Sequence, residues 1–320
     1  MKSRTYGLGV YTDLSVYGAQ ELRKKLTRAT QEVVLPYPKN DLAELAYVHV
    51  SEQVRVLIKE KNEQHTFLLD KTSKPCSFIT INVGKGCSGT VVLHSTGEGR
   101  FGSSVVRVVL EERAALAVYA LHDAAVSLFY AEQESRLEER AVLGWTDIVL
   151  SGSTVISETT TTLAGNSARA EQHACFLAKD AQYDIASTVI HERADTKSNV
   201  AIKGVCFSGS ALFRGLIKIL PAATGSDGYQ KSDILLLSQQ AKANVIPTLE
   251  IQNADVKCSH GATIAPHNPE KLFYLMSRGL SKSEALQLLL TGFFEPLTQT
   301  FPESIKNLLQ ERVAREAEHA

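Results

Sequence analysis

The sequence predicts a mainly β fold in which short strands stack into a solenoid, with helical segments at both ends. Val, Ile and Thr recur in short alternating runs from about residue 47 to residue 265, and glycines rather than prolines separate them. Signals typical of helices are confined to the flanks. We therefore expect an N-terminal helical or irregular segment at 1–46, a strand core at 47–265 and a C-terminal helical domain at 266–320.

About two hundred residues of short strands without helices fit a large sandwich, a propeller or a solenoid of β-coils. A propeller would repeat a blade motif every ~40–50 residues, and we find no such period. A parallel β-helix tolerates coils of irregular length around an interior of Val, Ile, Ala, Ser and Cys, which this segment is rich in. The composition favours the parallel β-helix, although by itself it leaves the sandwich open.

The flanks carry helix boundaries that can be read residue by residue. Before the strands, we expect a helix over Gly18–Val34, closed by the prolines that follow it. After the strands, Asn268 is an N-cap candidate, and the capping box Ser281–Glu284 opens a second helix that runs through Phe293. A third helix places one apolar stripe on a face opposite charged residues. This stripe comprises Ile305, Leu308, Leu309 and Val313.

Composition and charge exclude several classes of function. With 34 basic and 35 acidic residues, the chain lacks the strong positive charge of proteins that bind nucleic acid or anionic membranes. The apolar window Ala114–Ala131 contains His122 and Asp123, so we interpret it as buried core rather than a membrane span. The five cysteines form no C-x-x-C pair, and the N-terminus lacks an apolar signal region. We expect a reduced, cytoplasmic protein.

Cys258 and His260 are the residues with the clearest chemical potential. Residues two apart in a strand face the same side, so both would share a face with Val256 and Ala262. Thiolate and imidazole are ligands for iron or zinc, but a cluster or structural metal site needs about four ligands. On spacing alone, the two residues are either a partial metal site completed by another chain or ordinary core residues.

Other parts of the sequence give weaker evidence for a chemical function. The chain has no G-x-x-x-x-G-K-[ST], H-E-x-x-H or G-x-S-x-G motif, so we expect no bound nucleotide and no catalytic residues. Cys175 and Cys206 have apolar neighbours and are predicted to be inert core residues. We expect His191 to lie at the surface or at a coil edge, and the charged run Glu132–Arg140 to form a solvated face.

The second half of the chain resembles the SufB/SufD family of iron–sulfur cluster assembly proteins, specifically its SufD-like branch. The resemblance is strong from about Ser198 to Phe293 and diffuse before it. It rests on ordered segments that include Phe213–Ile219, Ser226–Gln230, Leu235–Ser238, Pro247–Ile251, Val256–Thr263 and Leu272–Leu280.

The resemblance implies a right-handed parallel β-helix that pairs with a SufB-like paralogue through its late coils, and it leaves a homodimer open. It also implies that a SufC-like ABC-type ATPase docks on the C-terminal helices. The candidate partner contacts there are Phe273, Tyr274, Arg278 and Phe293. Such complexes assemble a nascent Fe–S cluster and pass it to apoproteins.

Within this resemblance, His260 matches the histidine of the family's C-S-H-G-A-T motif, and Cys258 matches the cysteine beside it. Both are therefore candidate ligands for iron or a transient Fe–S cluster shared with the partner. Ser232 stands where SufB-like members carry a cysteine, while Ser259 and Gly261 replace their glutamates. The chain thus resembles the supporting, non-catalytic subunit. A solenoid adaptor without metal chemistry and a β-helix carbohydrate-active enzyme are the alternatives.

Overall fold

The computed structural model describes residues 41–318 as a parallel β-solenoid. Successive strands alternate between two eight-stranded sheets, and every neighbouring pair within each sheet is parallel. Each coil therefore contributes one strand to each sheet, which confirms the solenoid over the sandwich and the propeller. The helix expected at Gly18–Val34 lies outside the described residues.

The two sheets are named here by the numbers of their strands. The odd sheet contains β1 Glu52–Ile58, β3 Cys76–Val83, β5 Glu98–Leu110, β7 Ala125–Leu137, β9 Thr154–Leu163, β11 Ala181–His191, β13 Gly209–Ile219 and β15 Lys242–Ile251. The even sheet contains β2 Glu63–Asp70, β4 Ser88–Thr96, β6 Ala115–His122, β8 Val142–Val149, β10 Arg169–Ala178, β12 Lys197–Cys206, β14 Asp227–Leu236 and β16 Lys257–Pro266.

From Gly86 to Gly225, one turn recurs every 27 to 30 residues, and no sequence motif marks it. At this turn, one residue adopts the left-handed conformation and donates its N–H to a carbonyl in the next coil, as Arg113 does to Glu139 O at 2.8 Å. The residue types differ from coil to coil, so no motif marks the repeat. The positions are Gly86, Arg113, Arg140, Ser167, Asp195 and Gly225.

The interior is built from residues that alternate along each strand, as in the buried–exposed pattern of β11. Bulky side chains such as Trp145, Phe176 and Phe213 fill the middle coils and are at most 1% exposed. The apolar window Ala114–Ala131 lies in this core, where His122 Nε2 sits 3.3 Å from Asp147 Oδ1. Across residues 41–318, no helix is both long and apolar enough to span a membrane.

Three helices follow the strands: α2 Pro269–Ser277, α3 Lys282–Thr298 and α4 Glu303–Glu318. The side chain of Asn268 caps α2, and the capping box of Ser281 with Glu284 opens α3, as the sequence predicts. Helices α3 and α4 fold back over the outer face of the even sheet. Their buried residues there are Leu286, Leu290, Phe294, Leu297, Ile305, Leu309, Val313 and Ala317.

The helix before the strands, α1 Asp41–Val48, packs on the outer face of the odd sheet and overturns one expectation. Glu132, predicted to be solvated, is 1% exposed beneath this helix. Its carboxylate accepts hydrogen bonds from Tyr47 at 3.0 Å and from Tyr130 at 2.8 Å, and it pairs with Arg107. Burial would raise the pKa of Glu132, but the Arg107 charge and these hydrogen bonds hold it below its usual range.

His191 also departs from the expectation, because it is completely buried rather than at the surface. Its Nδ1 lies 2.8 Å from Thr196 Oγ1, and its Nε2 lies 2.8 Å from Ser198 Oγ. Burial lowers the pKa of His191 to about 4, so the imidazole stays neutral inside the coil. The alignment of β11 with its neighbouring strands turns the His191 side chain inward. The charged residues that follow it in the sequence do not reveal this direction.

Candidate metal site at the open end of the solenoid

The last strands of the two sheets, β15 and β16, form the edge that we call the open end. Among residues 41–318, β16 pairs only with β14 and β15 only with β13. Apolar side chains remain exposed here, with Ile251 at 45% and Ile264 at 42%. An uncovered strand edge with apolar neighbours is a ready template for another chain.

Cys258 lies on the inward side of β16, partly buried against the last apolar cluster of the interior. Its register partner is Gly228, and a β-carbon there would lie 3.4 Å from Cys258 Sγ and 3.0 Å from Ile217 Cγ2. The absence of a side chain at Gly228 therefore lets the thiol reach over the cluster. Burial raises the pKa of the Cys258 thiol, and the charge of Asp227 adds to the rise.

His260 follows Cys258 on the same face, and it is exposed. The register partners that face the interior, one from each coil of the even sheet, form a row that ends at His260. Its partner in the preceding coil, Gln230, is 1% exposed. The Gln230 amide turns toward the odd sheet, where its Nε2 donates to Thr248 O at 3.4 Å and its Oε1 occupies the space a side chain at Gly215 would need. His260 is thus the exposed register neighbour of a buried position in the preceding coil.

The structure brings the two predicted ligands together but surrounds them with few further donors. Within the described part of the chain, no group of three or more His, Cys, Asp or Glu side chains is placed to hold a metal. Ser232, the position at which the resemblance implies a cysteine in SufB-like members, is buried one strand away at 2% exposure. Cys258 and His260 can supply one sulfur and one nitrogen ligand from this chain.

The two cysteines predicted to be inert, Cys175 and Cys206, differ from Cys258 in their surroundings. Cys175 and Cys206 are completely buried, and burial raises the pKa of both thiols, that of Cys206 to about 12. Thiols held in this neutral form are poor nucleophiles and poor metal ligands. Of these three cysteines, only Cys258 lies at an uncovered edge.

The candidate partner contacts on the C-terminal helices fall into two groups. Phe273 and Tyr274 on α2 are 73% and 55% exposed, and the Arg278 guanidinium lies 5.1 Å from the centre of the Tyr274 ring. Phe293 on α3 instead packs inward, with the Lys203 ammonium 4.4 Å from its ring centre. Of these four candidates, the exposed apolar side chains are therefore the two on α2.

Sequence reasoning missed Gln230 as part of this end. The segment Ser226–Gln230 is among those that carry the family resemblance, but the sequence assigns Gln230 no place at this end, whereas the structure puts it in β14, which begins at Asp227. The available signal was the alternation from Gly228 through Gln230 to Ser232, which matches Cys258, His260 and Ala262 one coil later.

The fold and this edge define a parallel β-solenoid with two metal-capable side chains at an uncovered end. Comparison with known families then identifies the group. The family model described as SUF system FeS cluster assembly, SufBD core domain, matches residues 69–293. The chain belongs to the SufB/SufD family.

Curated relatives agree with this assignment. The chain is 27% identical over 203 residues to an iron–sulfur cluster assembly SufBD family protein of Mycobacterium tuberculosis, covering 62% of this chain and 24% of that protein. It is 26% identical over 226 residues to a SufBD family protein of Staphylococcus epidermidis, covering 70% of this chain and 48% of that protein. The matched region therefore spans about half or less of the length of these relatives.

Proposed function

We propose that the chain is a SufD-like, non-catalytic subunit of a cytoplasmic complex that assembles iron–sulfur clusters. The observation that carries this proposal is the position of Cys258 and His260, side by side on the last inward face of the solenoid. A SufB-like paralogue docks on β15 and β16 and supplies the remaining ligands. The cluster is cargo, bound transiently between the two chains.

The chemistry of the site supports transfer rather than storage. Iron prefers thiolate, and histidine is an acceptable nitrogen donor. A cluster held by mixed ligands across an interface is released when the interface moves, unlike one enclosed by four cysteines of a single chain. Neither of the two side chains is fully buried, so an incoming partner reaches both.

The test of the site compares two histidines at opposite ends of the even sheet. His260→Ala and, as the matched control, His65→Ala on the first strand β2 are each co-expressed with the SufB-like paralogue and the SufC-like ATPase of the same organism. Iron and acid-labile sulfide are then measured anaerobically per purified complex. We expect His260→Ala to lose most of both, because one ligand of a four-ligand site is removed. Unchanged iron and sulfide in His260→Ala would refute the role of His260.

The ATPase contact is assigned to the exposed face of α2. Removing the C-terminal helices would not test it, because α3 and α4 cover the core of the even sheet. We instead expect Phe273→Glu to abolish copurification of the SufC-like ATPase, since it places a charge on an apolar contact surface. Leu288→Glu on α3, at a position 53% exposed, is the matched control and keeps the ATPase bound. Retention by both variants would place the contact elsewhere.

A further inference from the structure

A pocket of about 410 Å³ lies at the corner where β11, β13 and β15 begin, and it reaches the open end. Its inner wall consists of residues that belong to the solenoid interior: Tyr183, Ala211, Ala243 and Leu236. Polar residues, among them Gln182, Ser210 and Lys242, line its rim. This volume falls within the range of sites that bind specific ligands or side chains.

The pocket exists because the side chains at one inward-facing position of the odd sheet become small before the solenoid ends. The successive register partners in the odd sheet are Phe129, Val155, Tyr183, Ala211 and Ala243. Aromatic or branched side chains fill this position in the three coils from Phe129 to Tyr183, whereas the last two coils offer only methyl groups. The pocket is partly open to solvent, so a side chain of another chain can enter it.

The Tyr183 ring at the base of the pocket is fixed and cannot rise to fill the void. It meets the Phe176 ring edge to face, with centroids 5.9 Å apart, and its hydroxyl donates to Leu177 O at 3.2 Å. The floor is therefore a rigid aromatic surface beside two methyl groups. Such a surface fits a bulky apolar side chain.

The rim carries one uncompensated charge. Asp184 at the rim is paired with Arg214, whose Nη2 lies 2.8 Å from Asp184 Oδ1. Lys242 is exposed, and no ion pair for it is found within residues 41–318. An acidic group next to an apolar anchor would match both the floor and the rim.

We propose that this pocket is the anchor site for the partner subunit, and that it receives one aromatic or other large apolar side chain flanked by an acidic residue. The inference rests on the proposed function, because it takes the partner to be the SufB-like chain at the open end. Continuity supports it: β15 lines the pocket and is also the unpaired edge strand of the same end. A pocket with an apolar floor and a polar rim is the typical setting of an interface hot spot.

The test fills the pocket from within. Ala243→Leu in the full chain places an isobutyl group where the anchor would sit. We expect the Kd for the SufB-like partner, measured by calorimetry, to rise roughly ten-fold or more. The thermal midpoint of the free chain should stay equal or rise, because the void is filled. Ala186→Leu, on the outer face of β11, is the matched control and leaves the Kd unchanged.

Two further variants keep the test decisive. Ala211→Val fills the pocket from the neighbouring strand and replaces Ala243→Leu if that variant does not fold. Lys242→Glu should weaken binding, and the loss should shrink at high salt. Filled variants that fold and bind as the wild type would overturn the anchor and leave the heterodimer standing. Failure of the wild-type chain to bind the partner would overturn the heterodimer, and the anchor with it.

Discussion

The two ends of the solenoid can be compared at one row of inward-facing register partners in the even sheet. This row has a histidine at each end, His65 and His260. His65 on β2 pairs in register with Val91, and the row continues coil by coil to Gln230 and His260. At the first end, His65 Nε2 lies 3.2 Å from Glu63 Oε2 and its ring stacks on Phe67. At the last end, His260 stands exposed over Gln230.

The apolar residues of the terminal coils show the same contrast. Val56, Ile58 and Leu69 in the first coil are at most 2% exposed, so this end is closed. Ile251 and Ile264 in the last coil are 45% and 42% exposed. Residue type alone therefore does not define the candidate metal site. Both histidines lie on terminal strands of the even sheet, but only His260 is exposed and shares its face with a cysteine.

Trimming one isoleucine at each end should give the largest difference. Ile58→Ala removes a completely packed side chain, so we expect the free energy of unfolding to fall by about 2 to 5 kcal/mol. Ile264→Ala removes a half-exposed side chain and should cost less than about 1 kcal/mol. Urea unfolding of both variants measures the two losses. Equal losses would show that the open end is covered in the free chain.

The pH dependence of the free energy of unfolding tests whether the interior around His191 excludes water. The buried His191 has a folded-state pKa of about 4, against 6.5 in the unfolded chain, so the unfolded state takes up the proton first as pH falls. Its contribution is complete above pH 6.5 and declines toward pH 4, by about 3 kcal/mol in all.

The matched variant for this measurement is His191→Asn, which cannot take up the proton. Its free energy of unfolding, followed by urea titration between pH 7.5 and pH 4, should fall by about 3 kcal/mol less than that of the wild type. Parallel curves for the two proteins would mean that His191 is solvated and that the open end reaches deeper into the coils.

The smallest change in the free energy of unfolding is expected at the contact between α1 and Glu132, near the closed end. Tyr47→Phe deletes the hydroxyl that donates to the buried carboxylate of Glu132, and should cost about 1 to 2 kcal/mol. Tyr274→Phe on α2, where the ring is 55% exposed, is the control and should be neutral within about 0.5 kcal/mol. Differential scanning calorimetry compares them. A neutral Tyr47→Phe would indicate that Arg107 and Tyr130 are sufficient to hold Glu132.

Much of the fold could be predicted because its signals are local. Alternation identified the strands, Asn268 and the Ser281–Glu284 box marked the starts of α2 and α3, and the spacing of two placed Cys258 and His260 on one face. The coil period could not be found in the same way. The turn that repeats needs a left-handed backbone, and residues as different as Gly86 and Arg113 adopt it when an N–H bond to the next coil holds them there.

By itself, the sequence determined which residues alternate, where helices begin, and that a thiol and an imidazole share a strand face. The tertiary structure decided what each of these residues meets. Glu132 is buried because α1 covers its strand, and His191 because its ladder points inward. His260 is exposed because β16 is the last strand of its sheet. Burial in a solenoid depends on the neighbouring coils, whose register partners lie 25 to 32 residues away along the chain, beyond any local pattern.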